Sequence, residues 1–397
     1  MKKYFWIYKI VIFCILAGFG LVSLLRPQNA FSDNENRSLE QYPEWKLQGV
    51  LDGSFQQDFD NAFSDQFAGR DSWMGFSTSV EKLLGFRDIG DVYLGKDDYY
   101  FAKTTQEDID QKNYLQNLRY VEYLGEKNAG KTQILLAPSP AVVLQDKLPQ
   151  KAPYYDAKAM YEEADTLLSS VKNIKTQSTI VEYSRQNQVY YKTDHHWSLL
   201  GAYAAYCAYC NQNDETKHTY GYFTPQKITQ DFFGTMYSKT LDPAAKADTM
   251  YAATNIPLAD VPRDGTLKKG IYDVGKLTQK DKYAYFFGGN YGKAEIAMKQ
   301  GEDKKLLVIK DSFANSFVPF LMEDYSDITM LDLRYYNASV QKLVEQVGGG
   351  AFHIPASSSI LGETGPPFHR TKEKGRLELC EVWGKNLSFL TFWPWES

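Results

Sequence analysis

The residues best suited to chemistry lie in one short segment, Thr193-Asp194-His195-His196-Trp197-Ser198. It joins a carboxylate to two imidazoles, and histidine is the side chain whose charge changes near neutral pH. Far downstream, Ser312 follows the apolar run Leu306-Leu307-Val308-Ile309 at an expected strand-to-helix turn. A serine hydroxyl becomes an effective nucleophile when a histidine takes its proton and a carboxylate orients that histidine. The two segments together predict a Ser-His-Asp site.

The expected position of Ser312 also predicts where a substrate would bind. A strand-turn-helix context exposes the hydroxyl at the carboxyl end of a parallel sheet, where open α/β sheets bind ligands. The backbone N–H of Ser312 would then lie at a helix start and could hold an oxyanion. Gly289 and Asn290 could add a second oxyanion donor, the alternative being an ordinary glycine-rich turn. Arg334 could orient substrate, the alternative being an ion pair with Asp332.

The hexapeptide allows other interpretations. Asp194, His195 and His196 could bind a metal ion, but adjacent histidines rarely face one ion and the sequence shows no Glu/His cluster nearby. We therefore expect no metal and no cofactor. Trp197 is most simply an aromatic of the core or of the cleft wall.

The chain resembles the DHHW family, which is related to the alginate O-acetylation proteins and, through them, to SGNH-type esterases and acyltransferases. Besides the segments around His196 and Ser312, the resemblance rests on Glu35–Leu39, Phe59–Asp71, Tyr93–Asp98, Phe233–Ser238 and Phe286–Gly292. It implies that Ser312 is the nucleophile, His196 the base and Asp194 the residue that orients the base. His196 is preferred to His195 because related proteins show an Asp-x-His-Trp pattern with a variable second position.

Composition excludes some classes of function. The net charge is −5 and the pI is about 5.7. Basic residues form no block of the kind that follows a phosphate backbone, so we expect no nucleic-acid partner. Cys207 and Cys210 could form a disulfide or half a metal site, but no second Cys/His pair accompanies them, which favours a core position.

The N-terminus predicts a membrane anchor. Residues 10–25 carry no charge, and with the residues before them they reach the roughly 20 that a bilayer requires. Lys2, Lys3 and Lys9 precede or begin this segment, so the N-terminus is expected in the cytoplasm and the chain after Arg26 outside. The alternative is a cleaved signal peptide, although no cleavage site of small residues follows. We expect a single-pass protein of the bacterial cell membrane.

The rest of the chain alternates between strand and helix patterns. Apolar runs at 132–137, 179–183, 306–309 and 328–333 alternate with helical patterns, which predicts an α/β fold with a doubly wound, mostly parallel sheet of the SGNH-hydrolase type. We divide the chain into an anchor (1–26), a stalk (27–56), a catalytic domain (57–347) and a tail (348–397). A Tyr-, Gly- and Asp-rich insertion at about 211–300 is expected to form one wall of the site.

The tail differs in composition from the rest. All 29 tyrosines and every aspartate precede residue 348, whereas the tail contains three of the seven tryptophans. A glycine run and Pro/Ser-rich sequence stand where another apolar strand is expected. We interpret the tail as a frameshifted or otherwise foreign replacement of that strand.

The resemblance implies a membrane-anchored, extracytoplasmic O-acetyltransferase that modifies a cell-surface or exported polysaccharide through an acetyl-Ser312 intermediate. It also implies a membrane-embedded acyltransferase partner that brings acetyl groups across the bilayer. Two alternatives stay open: a carbohydrate O-acetyl esterase, and a glycan-binding or assembly module with a vestigial triad.

Overall fold

The fold is that of a computed structural model, and the structure describes residues 2–35, 37–298, 304–338, 340, 343, 352–354, 391–392 and 395–396. The helices are α1 (Lys2–Leu25), α2 (Leu47–Asp52), α3 (Ser54–Asp65), α4 (Arg70–Leu83), α5 (Gln111–Lys127), α6 (Pro140–Val143), α7 (Ala157–Leu167), α8 (Gln177–Ser184), α9 (Leu199–Asn213), α10 (Thr235–Thr240) and α11 (Ala314–Phe317). The first strands are β1 (Phe31–Ser32), β2 (Arg37–Ser38), β3 (Asp88–Ile89), β4 (Val92–Leu94), β5 (Tyr100–Ala102), β6 (Gln133–Leu135), β7 (Lys172–Ile174), β8 (Pro225–Phe232) and β9 (Asp248–Ala253). The remaining strands are β10 (Ala259–Arg263), β11 (Thr266–Lys269), β12 (Lys293–Met298), β13 (Lys304–Ile309), β14 (Asp327–Leu331), β15 (Phe352–Ile354), β16 (Thr391–Phe392) and β17 (Trp395–Glu396).

The chain forms two compact units, and the smaller one comprises Met1–Gly90 with Tyr237–Ala245. It contains α1, whose residues Trp6–Leu25 are long and apolar enough to be a candidate membrane span. The segment that follows α1 is held against α3. Arg37 donates to both carboxylate oxygens of Asp65, at 2.8 and 2.6 Å, and the Gln66 amide exchanges hydrogen bonds with the backbone of Asn29. The region predicted to be a stalk is therefore fastened to this unit by paired polar groups.

The larger unit, Asp91–Met236 with Lys246–Ser397, is built on a ten-stranded mixed sheet. The sheet runs β11-β10-β12-β14-β13-β15-β6-β16, with β7 beside β6 and β17 beside β13. The pairs from β14 through β13, β15 and β6 to β7 are parallel, whereas the other ladders are antiparallel. The α/β class is confirmed, but the sheet is mixed rather than mostly parallel. The physical reason is that the insertion adds β10, β11 and β12 to its edge by antiparallel pairing.

Both faces of the sheet are covered. Alternate side chains of one strand point to opposite faces, and in β6 they pack in two different clusters. Ile134 of β6 packs in a cluster with residues of α5 and α7, while the next residue, Leu135, packs in the cluster that contains α9 and α11. The strands β6 and β13 are therefore buried on two sides, which explains their continuous apolar runs.

One strand was predicted wrongly. Thr179–Tyr183 lies in helix α8, and the strand at this point is β7, at Lys172–Ile174. The β-branched run suggested a strand, but only Ile180 in this helix is fully buried, as suits a short helix packed on α9. Periodicity cannot separate a strand from one or two helical turns over so few residues, and tertiary packing decided the outcome.

Little of the tail falls among the described residues. Phe352–Ile354 forms a parallel strand between β13 and β6, so the position that we expected to lack a strand is filled there. The bulk of 348–397, on which the frameshift hypothesis depends, lies outside the described residues, and that hypothesis stays a prediction.

Candidate active site

Ser312 lies in the turn between β13 and α11, at the carboxyl end of a parallel strand, as the sequence predicts. The backbone N–H of the next residue, Phe313, donates to the Asp311 carboxylate at 2.8 Å and tightens the turn. Ser312 itself is only 8% exposed. Among the described residues, no acceptor is bonded to its backbone N–H, so this group is available to a developing oxyanion.

A continuous chain of hydrogen bonds joins Ser312 to His196 and Asp194. The His196 Nε2 atom lies 2.7 Å from the Ser312 hydroxyl oxygen, and its Nδ1 atom lies 2.5 Å from a carboxylate oxygen of Asp194. The same oxygen accepts the His196 backbone N–H at 2.9 Å. Since an ionised carboxylate only accepts, the Nδ1 atom carries the ring proton and Nε2 can accept from Ser312. This is the geometry of a nucleophile, a base and an orienting acid.

Asp194 is held from both sides. Its second oxygen accepts the backbone N–H of Thr235 at 2.8 Å and the Thr235 hydroxyl at 3.1 Å. Gly234 packs directly on its side chain, because a Cβ atom added there would overlap the Cβ and a carboxylate oxygen of Asp194. Burial would raise the pKa of Asp194, but attraction to His195 and His196 and the hydrogen bonds hold it well below its usual range. The Asp194 carboxylate therefore stays ionised near neutral pH.

The segment that leads to Asp194 is clamped by a second buried acid, Asp248 at the start of β9. Its carboxylate accepts the backbone N–H groups of Lys192 and Thr193, at 2.9 and 2.8 Å, and the Thr193 hydroxyl at 2.7 Å. It also accepts the Gln188 side chain at 2.8 Å. On the other side of the hexapeptide, Ser198 caps α9. The hexapeptide is thus fixed at both ends.

Tyr283 contacts both His196 and Ser312. Its ring stacks on the His196 ring with centroids 3.8 Å apart and planes 11° from parallel. Its hydroxyl donates to the Ser312 carbonyl at 3.1 Å and lies 3.0 Å from the Ser316 hydroxyl.

These two contributions of Tyr283 can be separated. We expect Tyr283→Phe, which keeps the stack and loses the hydroxyl, to lower kcat for ester cleavage about tenfold, and Tyr283→Leu about a hundredfold. KM should change little, because neither group is expected to touch the substrate. Steady-state kinetics with a soluble ester measures both constants. Equal activity of the two variants would contradict a role for the stacked ring.

A buried polar cluster lies close to Ser312 in the sequence and includes Lys310 and Asn315. The Lys310 ammonium donates to the side-chain oxygens of Asn315 at 2.7 Å and Asn290 at 3.1 Å, and Asn315 also donates to Asn290 at 3.1 Å. With its oxygen bound on both sides, Asn290 keeps its amide N–H groups for another acceptor. The Gly289 N–H, in contrast, donates to the Phe286 carbonyl at 3.2 Å, as in an ordinary turn. Of the two predicted oxyanion donors, the geometry favours Asn290.

Burial lowers the pKa of Lys310 to about 8, against the opposing attraction of Asp332. A lysine in the unfolded chain titrates near 10.4, so between about pH 8 and 10 the folded chain binds fewer protons and stability rises with pH. We expect the unfolding free energy of the wild type to rise by roughly 2 kcal/mol relative to Lys310→Met between about pH 7 and 9.5. Urea unfolding of both proteins at each pH measures this difference. Parallel pH curves would contradict it.

The other predicted site residues have structural partners. His195 lies beside His196, with its Nδ1 atom 2.7 Å from the Thr235 hydroxyl. Trp197 is fully buried and donates to the Phe313 carbonyl at 3.1 Å, so it supports the turn that carries Ser312 and is not open to substrate. Arg334 forms a two-pronged ion pair with Asp332, at 2.8 and 2.6 Å, which is the alternative raised from the sequence.

The metal site considered in the sequence analysis would use some of the same atoms as the hydrogen-bonded chain. Potential ligand atoms of Asp194, His195 and His196 lie within 4.8 Å of one another. Both ring nitrogens of His196, however, are bonded, one to Asp194 and one to Ser312. The arrangement favours proton transfer over metal binding.

Four residues that contact the site were not predicted from the sequence, namely Gly234, Thr235, Asp248 and Tyr283. All four belong to the insertion, which contributes a wall to the site. Gly234 and Thr235 lie in a segment on which the family resemblance rests, and this was the available signal. Asp248 and Tyr283 carry no local signal.

Comparisons with known proteins identify a matching family. The family model described as DHHW protein matches residues 167–331, the part of the chain that holds all three members of the hydrogen-bonded chain. The resemblance to the DHHW family is therefore confirmed. None of the curated proteins compared with the chain matches it.

Solved structures of two proteins described here share the fold. A DHHW family protein from Eubacterium siraeum is 21% identical, with a TM-score of 0.56, over 68% of this chain and 92% of that chain. Bacillus cereus PatB1 with a sulfonyl adduct is 22% identical, with a TM-score of 0.55, over 69% of this chain and 98% of that chain. The O-acetyltransferase domain of Pseudomonas putida AlgJ has a TM-score of 0.35 at 13% identity, over 59% of this chain and 77% of that chain, too low to indicate a shared fold.

Proposed function

We propose that this chain, whose resemblance to the DHHW family is confirmed, is a membrane-anchored, extracytoplasmic O-acetyltransferase that modifies a cell-surface or exported polysaccharide. The observation that supports it best is the hydrogen-bonded chain from Ser312 through His196 to Asp194 at the carboxyl end of β13. These three groups suit acyl transfer, because they activate a hydroxyl and store its proton.

The reaction has two steps, acetylation of Ser312 and transfer of the acetyl group to a sugar hydroxyl. The Ser312 oxygen attacks the acetyl carbonyl carbon while His196 Nε2 takes the hydroxyl proton, and the donor's leaving oxygen or sulfur departs with that proton. A sugar hydroxyl then attacks acetyl-Ser312, gives its proton to His196, and that proton returns to the Ser312 oxygen. The Ser312 N–H and the Asn290 amide stabilise the oxyanion in both steps.

The comparisons supply a chemical precedent for the nucleophile. The solved PatB1 structure carries a sulfonyl adduct. Such adducts form when a nucleophile displaces a leaving group from sulfur, so we expect a sulfonyl fluoride to react with Ser312 in this chain. We propose in addition that the parallel part of the sheet, from β14 to β7, is of the SGNH-like, doubly wound type, with the insertion added at one edge.

The anchor and the partner are part of the same proposal. Helix α1 has the length and composition of a membrane span, and Lys2, Lys3 and Lys9 at its start favour a cytoplasmic N-terminus. The catalytic residues would then lie outside the cytoplasm, where acetyl donors have to be supplied across the bilayer. A membrane-embedded acyltransferase is the partner that this requires.

Acetyl transfer to a saccharide is the decisive test of this function. The full-length chain in detergent is incubated with p-nitrophenyl acetate and an oligosaccharide, and the saccharide is analysed by mass spectrometry. An O-acetylated saccharide formed by the wild type and not by Ser312→Ala is the expected result. Acetate release without saccharide acetylation would support the esterase instead. No release above the level of Ser312→Ala would support a glycan-binding module.

A further inference from the structure

Helix α4 of the smaller unit has one face that is packed inside that unit. Gly75 lies so close to the Leu241 carbonyl that an added Cβ atom would approach it to 2.8 Å. The Thr78 hydroxyl donates to the Thr240 carbonyl at 2.6 Å, and Lys82 forms an ion pair with Asp242. This face is fixed against the segment Tyr237–Ala245.

The opposite face of α4 is apolar and exposed. Trp73, Phe76, Val80 and Leu83 have exposed fractions of 45, 61, 37 and 86%. They are spaced by three and four residues, so they form one continuous stripe along the helix. Serine and glutamate residues flank the stripe. A stripe of this kind is typical of a helix that lies in a membrane interface or against a partner.

The contact of α4 with α1 indicates whether a membrane interface or a protein partner covers the stripe. The Trp73 ring meets the Phe19 ring edge-to-face at 5.4 Å. Phe19 lies six residues before Leu25, the end of the candidate membrane span, and six helical residues correspond to about 9 Å along the helix axis. The Ser23 hydroxyl also accepts the Ala68 backbone N–H at 2.9 Å, which fastens the last turn of α1 to the loop before α4.

We propose that the stripe formed by Trp73, Phe76, Val80 and Leu83 lies in the outer interface of the lipid bilayer that α1 crosses. This inference depends on the anchor in the proposed function. If α1 spans the bilayer to Leu25, the Phe19 contact places Trp73 up to about 9 Å inside the hydrocarbon edge, within the roughly 5–10 Å to which the apolar face of an interfacial helix is buried. Lipid would then remove the four apolar side chains from water, and no further protein would be required to cover them. Helix α4 would form a second, in-plane attachment of the smaller unit.

Photo-crosslinking in membranes tests this position. Benzoylphenylalanine is introduced in place of Phe76 or Leu83 in the full-length chain, and, as the matched control, in place of Ser79 on the polar flank of α4. Illuminated membranes are analysed by mass spectrometry of the α4 peptide. We expect lipid adducts at Phe76 and Leu83 to exceed those at Ser79 several-fold. Cleavage of a soluble ester should be unchanged in all three variants, because α4 contains none of the catalytic groups.

Three outcomes would overturn the inference. The first is equally low lipid adduct yields at all three positions in a chain whose intact mass shows that residues 1–25 are retained. This result would overturn the inference and leave the proposed function standing. Adducts with another protein in place of lipid would assign the stripe to a protein partner. An intact mass that lacks residues 1–25 would overturn the anchor and this inference together, while ester cleavage would still report on the catalytic site.

Discussion

Ser312→Ala and His196→Ala should each lower kcat for ester cleavage by about 10³-fold or more, and the double variant should be no worse than either one. The two side chains share one hydrogen bond of 2.7 Å and act as a unit, so removing either removes proton transfer from the nucleophile. Steady-state kinetics with p-nitrophenyl acetate, with circular dichroism to verify folding, measures the effect. Additive losses would show that the two residues act independently.

His195→Ala is the matched control for the histidine. Its ring is a neighbour of the His196 ring, yet its bonded nitrogen faces the Thr235 hydroxyl rather than Ser312. We expect His195→Ala to retain most of the activity. Full activity in His196→Ala together with a large loss in His195→Ala would mean that the base has been assigned to the wrong residue.

Gly234→Ala should lower kcat by about 10³- to 10⁴-fold although the substituted residue carries no reactive group. The added methyl group would occupy the space of the Asp194 side chain and move its carboxylate away from His196. Without that carboxylate the imidazole loses its fixed tautomer and the stabilisation of its protonated form. Asp194→Asn should cause a comparable loss, measured with the same soluble ester.

Gly221→Ala provides the matched control for Gly234→Ala. A Cβ atom added at Gly221 meets nothing within 4 Å, so the same chemical change occurs in open space. We expect this variant to keep wild-type kinetics. A fully active Gly234→Ala protein with normal stability would contradict the importance of the Asp194 orientation.

The parts of the site that could be predicted from sequence are local ones. The Asp-x-His spacing and the apolar run before Ser312 are visible over a few residues each. The structure places Ser312 in the expected strand-turn-helix and brings His196 within 2.7 Å of it. The choice of His196 over His195 required the family resemblance, because both residues have the same chemistry. The catalytic role itself stays a prediction.

The parts that could not be predicted depend on distant pairing. Thr235 reaches Asp194 across 41 residues and Tyr283 reaches the Ser312 carbonyl across 29, and neither contact leaves a periodic signal. The antiparallel pairing of β10, β11 and β12 could not be predicted for the same reason. Edge pairing depends on the partner strand in the folded protein and not on the strand's own sequence. The strand predicted at Thr179–Tyr183 was wrong because packing on α9 outweighed local propensity.

The most direct test of the central claim is mass spectrometry of the full-length chain after brief exposure to p-nitrophenyl acetate and quenching in acid. If Ser312 is the acyl-accepting nucleophile, one acetyl group will be found on the peptide that contains Ser312, and it will be absent in His196→Ala. Adding an oligosaccharide before the quench should remove it. Acetylation confined to surface lysines, equal in the wild type and in Ser312→Ala, would contradict the catalytic account.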